Sequence, residues 1–376
     1  MNYKILQFTY DLGGGGLEAF VTNLNNCREV FEKPFDFIVY REESYKEFYE
    51  DRNKKMGSVI YKVAEGCSEK FLFRCIQERV NAYKVMKKNA YDVVHIHSSN
   101  AFCVIEVLLA KAAGTKKIIV HSHNTKMNES GIKAKIKYVV HIICKTLICH
   151  NANELLGCST EACEWMFGRR AVAEKRTVVV KNGIVGSEYY YNATTRNEFR
   201  NRLGWKDNII IGNVGRMTQQ KNHTFLLDIF AKIYEINKNA RLLLLGDGEL
   251  RNVLQNKVEK LGLKDVVLFY GLSDEISKWL QAMDLFIMPS LYEGLPVAGI
   301  EAQAAGVPLL AANTISPEMK VTDTVKWMSL DVNPTEWAKK ALDMAMIQHT
   351  NNKKAIIEAG YDISYTAQEL IKLYIK

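Results

Sequence analysis

The pattern of apolar and polar positions alternates between two periods along most of the chain. Short apolar runs of four to eight residues, the length of buried strands, recur over 3–10, 35–40, 58–63, 92–97, 117–124, 155–159 and 178–184. Between them lie stretches with helical spacing, over 17–30, 71–88, 101–113, 131–149 and 161–167. The alternation then starts again. Strands are expected over 208–214, 241–245, 266–270, 284–288 and 309–312, and helices over 222–234, 249–261, 297–305, 336–348, 353–359 and 366–375. Thr335 is the expected N-cap of the 336–348 helix, and Ser159 or Thr160 that of 161–167. Strand–helix alternation of this kind builds parallel sheets covered by helices on both faces. The fold class is therefore α/β with two Rossmann-like domains. Residues 41–55 are charged and read as a surface connection, and 187–197 as the linker between the domains.

Length and composition agree with this division. A chain of 376 residues, 48 % hydrophobic and 24 % charged, fits about two domains with sizeable cores. The first residues run straight into an apolar strand and a glycine-rich turn, so no secretory signal is expected, and no run reaches the length of a membrane span. All eight cysteines lie between Cys27 and Cys163 with no C-x2-C pair, the pattern of reduced thiols in a cytoplasmic protein.

The formal net charge of +8 is unevenly placed. Residues 1–181 hold 28 Lys and Arg against 20 Asp and Glu, whereas residues 182–376 hold 22 of each. The excess gathers between Lys111 and Cys149, where Lys111, Lys116, Lys117, Lys126, Lys133, Lys135, Lys137 and Lys145 meet a single acid, Glu129. Within the helix from Gly131 to Cys149, the side chains Ile132, Ile136, Val139, Ile143 and Leu147 share one narrow sector, and Lys133, Lys135, Lys137 and Lys145 lie outside it. Two readings fit: a helix lying on an anionic membrane surface, or a helix packed on its sheet with solvated lysines. A nucleic-acid partner is not expected, because no module interleaves aromatic and basic residues.

Three stretches carry candidate chemistry. Gly13-Gly14-Gly15-Gly16-Leu17-Glu18 follows the first strand and opens a helix, a turn that lets backbone approach a ligand closely. It is not G-x-G-x-x-G and lacks the acidic ribose partner, so NAD is not expected. The strand over 117–124 delivers His123 and Asn124 to its carboxyl end, where open α/β sheets bind ligands. With His95, His97 and His121 there are four histidines on two strands, but no acidic ligand stands nearby and no metal site is expected. The third stretch, Pro289 to Ala302, reads as strand end, tight turn and helix, and holds Glu293 and Glu301 eight positions apart. Carboxylates beside unpaired backbone N–H groups can accept hydrogen bonds from vicinal hydroxyls of a ribose or hexose. Gly299 should weaken that helix slightly.

Glu293-Gly294-Leu295-Pro296 followed by Glu301-Ala302 resembles the donor site of glycosyltransferase family 4, retaining enzymes of the GT-B fold. Gly15-Gly16-x-Glu18, His121-Ser122-His123-Asn124, Asn182-Gly183 and Gly215-Arg216…Lys221-Asn222 are similar to further signatures of that family, so the resemblance spans essentially the whole chain. It implies two domains facing across a cleft, with boundaries at 1–186 and 187–355 and a terminal helix, 356–376, crossing back. It implies transfer of a hexose or N-acetylhexosamine from a nucleoside-diphosphate sugar, UDP before GDP or ADP, to an acceptor hydroxyl with retention. Arg216 and Lys221 would neutralise the leaving diphosphate without a metal. Gly215, Gly246, Tyr270 and Gly271 would hold the nucleotide and its base, Glu301 the ribose, and Glu293 with Gly294, Leu295 and Pro296 the sugar. Gly15, Gly16 and His123 would approach from the first domain, with Asn124 on the acceptor side. No cofactor is implied. The acceptor would be a lipid-linked glycan of exopolysaccharide or capsule assembly, reached at the inner face of the membrane. A GT-B epimerase and a non-catalytic sugar-nucleotide binder are the alternatives.

Overall fold

A computed structural model describes residues 3–42, 44, 47–126 and 132–376, with the side chains of 132–134 excepted. The chain divides into two compact units, residues 1–183 with 363–376, and residues 184–362.

The first unit is a seven-stranded parallel sheet. Its strands are β1 (Ile5–Phe8), β2 (Asp36–Val39), β3 (Ile60–Lys62), β4 (Val93–Ser98), β5 (Lys117–Ser122), β6 (Glu154–Gly157) and β7 (Thr177–Val179), in the order β3-β2-β1-β4-β5-β6-β7. The order reverses between β1 and β4, and at such a switch point the carboxyl ends of the strands leave a crevice for ligands. Leu6, Val94, Ile96, Ile118 and Val120 face the core formed with Ala82, Met86, Val107 and Ile148 of the helices Phe71–Asn89, Val104–Ala113 and Ile132–Asn151. The closing helix Ile363–Ile375 belongs to this unit and packs beside the first helix, Gly16–Asn25.

The second unit is a six-stranded parallel sheet of β8 (Ile209–Val214), β9 (Ala240–Leu245), β10 (Val267–Gly271), β11 (Leu285–Met288), β12 (Leu309–Ala312) and β13 (Val325–Met328). The order is β10-β9-β8-β11-β12-β13, with its switch between β8 and β11.

Several sequence expectations need correction. The stretch 187–197 is not an extended linker. It holds the short helix Gly186–Tyr189 and the start of Ala193–Leu203, because Asn192 caps the second helix through Thr195 N and Arg196 and Arg200 both pair with Asp284. Residues 41–55 are more than a surface connection: Glu47, Glu50 and Asn53 are buried, with Glu50 bound to Lys62 at 2.9 Å. The helix expected over 336–348 is Pro334–Ala345, capped by Asn333 rather than Thr335, since proline fits the first helical position. The helix Lys353–Glu358 stays with the second unit, against Val297–Ala304, so the return begins at Ile363 and not at 356. Gly299 is accounted for, because a Cβ there would come within 2.4 Å of the Met319 sulfur.

The basic helix packs into the core it shares with the strands, as the second reading has it, but through a different face from the apolar sector. Gly131 lies outside the described residues, as do the side chains of Ile132 and Lys133. Ile136, Val139, Ile143 and Leu147 are 60, 57, 59 and 43 % exposed, so the apolar sector does not pack on the sheet. The helix is instead seated by His141, Cys144 and Ile148. His141 accepts a hydrogen bond from Ala101 N at 3.0 Å and stacks on Trp165.

Candidate functional site

In the second unit, the loops after β8, β9 and β10 are knitted together by backbone. Gly215 N donates to Leu245 O at 2.9 Å, Gly246 N to Gly271 O at 2.8 Å, and Met217 N to Asp247 O at 2.9 Å. Gly246 sits at φ +126°, and a Cβ there would lie 2.2 Å from Gly215 O, so only glycine allows the two loops to meet. Gly271 also has positive φ, and the Tyr270 ring packs on Trp279 at 4.6 Å while remaining part exposed. The candidate base-holding residues Gly246, Tyr270 and Gly271 thus share one edge with Gly215.

The loop after β8 is also tied to the loop after β11. Leu291 N donates to Gln220 O at 2.8 Å, and Asn222 Nδ2 to Pro289 O at 3.1 Å. Lys221 Nζ reaches Glu293 Oε1 at 2.6 Å, and Gln220 Nε2 lies 3.3 Å from Glu293 Oε2. Two residues picked out from separate motifs, 72 positions apart, are therefore a direct ion pair. Arg216, on the same loop as Lys221, is exposed. Gly294, Leu295 and Pro296 are buried, and Pro296 precedes the first turn of Val297–Ala304, whose amides lack intrahelical partners.

Glu301 lies on that helix, one turn in, and is buried. Burial pushes its carboxyl up to about 7, helped by the Glu188 charge, against the pull of a hydrogen bond from Tyr189. The Tyr189 hydroxyl donates to Glu301 Oε1 at 2.7 Å.

In the first unit, the glycine loop follows β1. Leu12 N donates to Glu47 Oε2 at 3.1 Å and Gly13 N to Asp11 Oδ1 at 3.2 Å, which hold the loop against Arg41. Gly15 is the extended residue preceding the helix that Gly16 begins. Phe20 of that helix packs its ring 6.2 Å from both His121 and His123, so the loop and His123 share one edge of the sheet. Asn124 follows, its Oδ1 accepting from Thr125 N at 2.9 Å.

His123 does not stand alone. Its Nε2 is 2.9 Å from His97 Nδ1, and His97 Nε2 is 2.8 Å from Gln7 Oε1. His95 Nδ1 is 2.7 Å from the Tyr374 hydroxyl of the closing helix. Burial drives all four histidines below the ordinary imidazole range, His121 to about 3, so the cluster is neutral. His95, His97 and His121 each bring one possible ligand atom within 4.8 Å of the others. Both His97 nitrogens are engaged, however, and the His95 and His97 rings stack at 4.1 Å, with His95 and His121 within 6° of parallel.

Sequence reasoning missed Tyr189, Gln220 and the His97–Gln7–Tyr374 partners. Nothing in their local pattern marks them, since each acts over a long separation.

The family described as "Glycosyltransferase Family 4" matches residues 14–185, and "Glycosyl transferases group 1" matches residues 195–362. EpsF of Bacillus subtilis (strain 168), named as a glycosyltransferase, is 29 % identical over 99 % of this chain and 96 % of its own. An Escherichia coli protein named UDP-Gal:alpha-D-GlcNAc-diphosphoundecaprenol alpha-1,3-galactosyltransferase is 28 % identical over 82 % of this chain and 81 % of its own. Among solved structures, HepE from Anabaena in complex with UDP-glucose superposes with a TM-score of 0.77 at 17 % identity, covering 99 % of both chains. Two parallel-sheet units, each matched along most of its length by a glycosyltransferase family, make this chain a glycosyltransferase of the GT-B fold.

Proposed function

We propose that the chain transfers a hexose or N-acetylhexosamine from a UDP-sugar to a hydroxyl of a lipid-linked glycan, with retention, in cell-surface polysaccharide assembly. The observation that carries the donor reading is the Lys221–Glu293 pair, which unites the loops after β8 and β11 at the edge that also holds Gly215, Gly246 and Arg216. The names of the E. coli relative and of the Anabaena complex support a UDP-sugar donor and a diphosphate-linked lipid acceptor.

In this reading Arg216 and Lys221 offset the charge that develops on the departing diphosphate. A guanidinium and an ammonium supply that charge themselves, so the reaction runs without a metal. Glu301 accepts hydrogen bonds from the ribose, and Gly246, Tyr270 and Gly271 hold the base. Glu293 and the amides of Gly294 and Leu295 hold the sugar, with Pro296 setting the turn. Glu293 is engaged by Lys221 and Gln220, which suits a sugar-holding group better than a covalent nucleophile. The bond from the anomeric carbon to the diphosphate oxygen breaks as the acceptor oxygen bonds to the same face. The acceptor proton passes to the leaving diphosphate. Gly15, Gly16, His123 and Asn124, gathered at one edge of the first unit, serve the sugar and acceptor.

The chain works at the inner membrane surface as a peripheral protein. No helix among the described residues is long and apolar enough to cross a membrane. The exposed apolar sector of Ile132–Asn151, flanked by Lys135, Lys137 and Lys145, suits an anionic lipid surface. Phe71, Leu72, Phe73, Ile76 and Val80 of Phe71–Asn89 are also exposed, a second apolar face in the same unit.

Incubation with UDP-sugars and an undecaprenyl-diphosphate-linked acceptor, followed by mass analysis, tests this function. A glycosylated acceptor with UDP released supports it. A sugar epimerised without acceptor, or no turnover of any UDP-sugar, counts against it.

A further inference from the structure

Glu301 can hold a ribose diol only if its carboxylate plane is fixed, because two hydroxyls must reach it together. The Val297–Ala304 helix places the side chain but does not set its terminal rotation, which is broad for an sp3–sp2 bond. Among the described residues, the hydrogen bond that does so comes from Tyr189 at 2.7 Å. The Tyr189 ring is buried, so its hydroxyl has no bulk water to turn to.

Tyr189 is in turn fixed by Gln281, itself buried on Ile276–Ala282. Gln281 Nε2 donates to Tyr189 O at 2.7 Å and to Tyr190 O at 3.3 Å, and Gln281 Oε1 accepts from Asn192 N at 3.0 Å. Both ends of one amide thus clamp the backbone that carries the phenol. Gly186 completes the fit, since a Cβ there would meet the Tyr190 hydroxyl at 2.4 Å.

We infer that Tyr189, clamped by Gln281, is the positioning residue that orients Glu301 for the two ribose hydroxyls of the nucleotide. The inference rests on the donor reading proposed above. Tyr189 occupies Oε1 from one side and leaves Oε2 for the ligand. It also favours the carboxylate over the protonated acid, against burial and against Glu188, the other titratable group that bears on Glu301. The phenol therefore acts twice, on geometry and on charge.

Titration calorimetry with UDP and with 2′-deoxy-UDP, from pH 6 to 8.5, tests this on the full chain. Ionisation of the UDP phosphate is common to all variants and cancels when affinities are compared at one pH. Tyr189→Phe is expected to bind UDP about ten-fold more weakly than wild type at pH 7, the size of one lost charged hydrogen bond. The gap narrows as pH rises and ionises Glu301 without help. For 2′-deoxy-UDP the same substitution is expected to cost no more than about three-fold, because one of the two hydroxyls is already gone. Glu301→Gln should weaken UDP binding in a way that Tyr189→Phe no longer adds to. Gln281→Met should reproduce the Tyr189→Phe profile in weaker form. If Glu301→Gln weakens UDP while Tyr189→Phe keeps the wild-type profile, the positioning role is overturned and the donor reading survives. If wild type binds no UDP, or Glu301→Gln binds it unchanged, both are overturned.

Discussion

Lys221 and Glu293 make a claim that stability and binding can separate. The Glu293 carboxylate is 6 % exposed and the Lys221 side chain 21 %, with Nζ and Oε1 2.6 Å apart. Lys221→Met keeps the chain length and removes the charge. Glu293 then loses its ammonium partner in a nearly dry place, and removing one partner of a buried pair costs about 3–5 kcal/mol. Lys221 keeps a fifth of its surface in water, so the lower end applies, about 3 kcal/mol, or about 6–12 °C in the melting of a unit this size. Glu293→Gln costs less, about 1 kcal/mol, since the flexible ammonium can turn outward to water. The double variant removes both charges together and should return to within about 1 kcal/mol of wild type. Its donor binding should not return. Without the ammonium, one charge-assisted bond to phosphate is gone, about 1.5–3 kcal/mol or roughly 10- to 100-fold in UDP affinity. Urea denaturation of the four proteins, with UDP titrations beside it, completes the cycle. A Lys221→Met protein as stable as wild type would refute the energetic argument, and a double variant binding UDP like wild type would refute the functional one.

Acid should act on the two units with opposite sign. The four neutral histidines have folded values below the ordinary 6.5, so their contribution is present above 6.5 and lost as pH falls. His121, held at about 3, alone forfeits about 1.4 kcal/mol per pH unit, about 2 kcal/mol by pH 5. Glu301, raised to about 7, contributes stability present below 4.5 and lost as pH rises through 7. Circular dichroism melts from pH 8 to 5 should show a steep loss that His121→Phe makes shallower, and a flat profile would contradict the neutral cluster. Gly246→Ala forces a Cβ to 2.2 Å from Gly215 O at φ +126°, and should lower stability by about 2 kcal/mol or more and abolish UDP binding, as read by thermal shift. Val139→Glu with Ile143→Glu should cut co-sedimentation with anionic vesicles several-fold while leaving the melting temperature within a degree or two, because both side chains are exposed.

The fold was legible because strand and helix periods alternate cleanly, and the residues of the candidate donor edge could be singled out because its glycines and acids sit in local motifs. Gly215, Lys221, Glu293 and Glu301 each occupy a loop or helix start that neighbouring residues announce. Their pairing was not legible: Lys221 meets Glu293 across 72 positions, and only the switch between β8 and β11 brings the loops together. Tyr189 stands in a stretch that reads as linker, and its bond to Glu301 spans 112 positions. The same stretch is helical because Arg196 and Arg200 find Asp284 more than eighty residues on, a long-range pairing that local propensity does not contain. The basic helix misleads in another way. Periodicity located its apolar sector correctly, but the side that seats the helix is made by His141, Cys144 and Ile148, a face that hydropathy does not single out.

The central claim is that the second unit grips a sugar-bearing diphosphate between the loops after β8 and β11. A crystal structure of the chain soaked with UDP-glucose addresses it most directly. The account predicts the diphosphate within hydrogen-bond distance of Arg216 and Lys221, the ribose hydroxyls on Glu301 and the glucose beside Glu293. A uridine diphosphate bound away from those four side chains would contradict it.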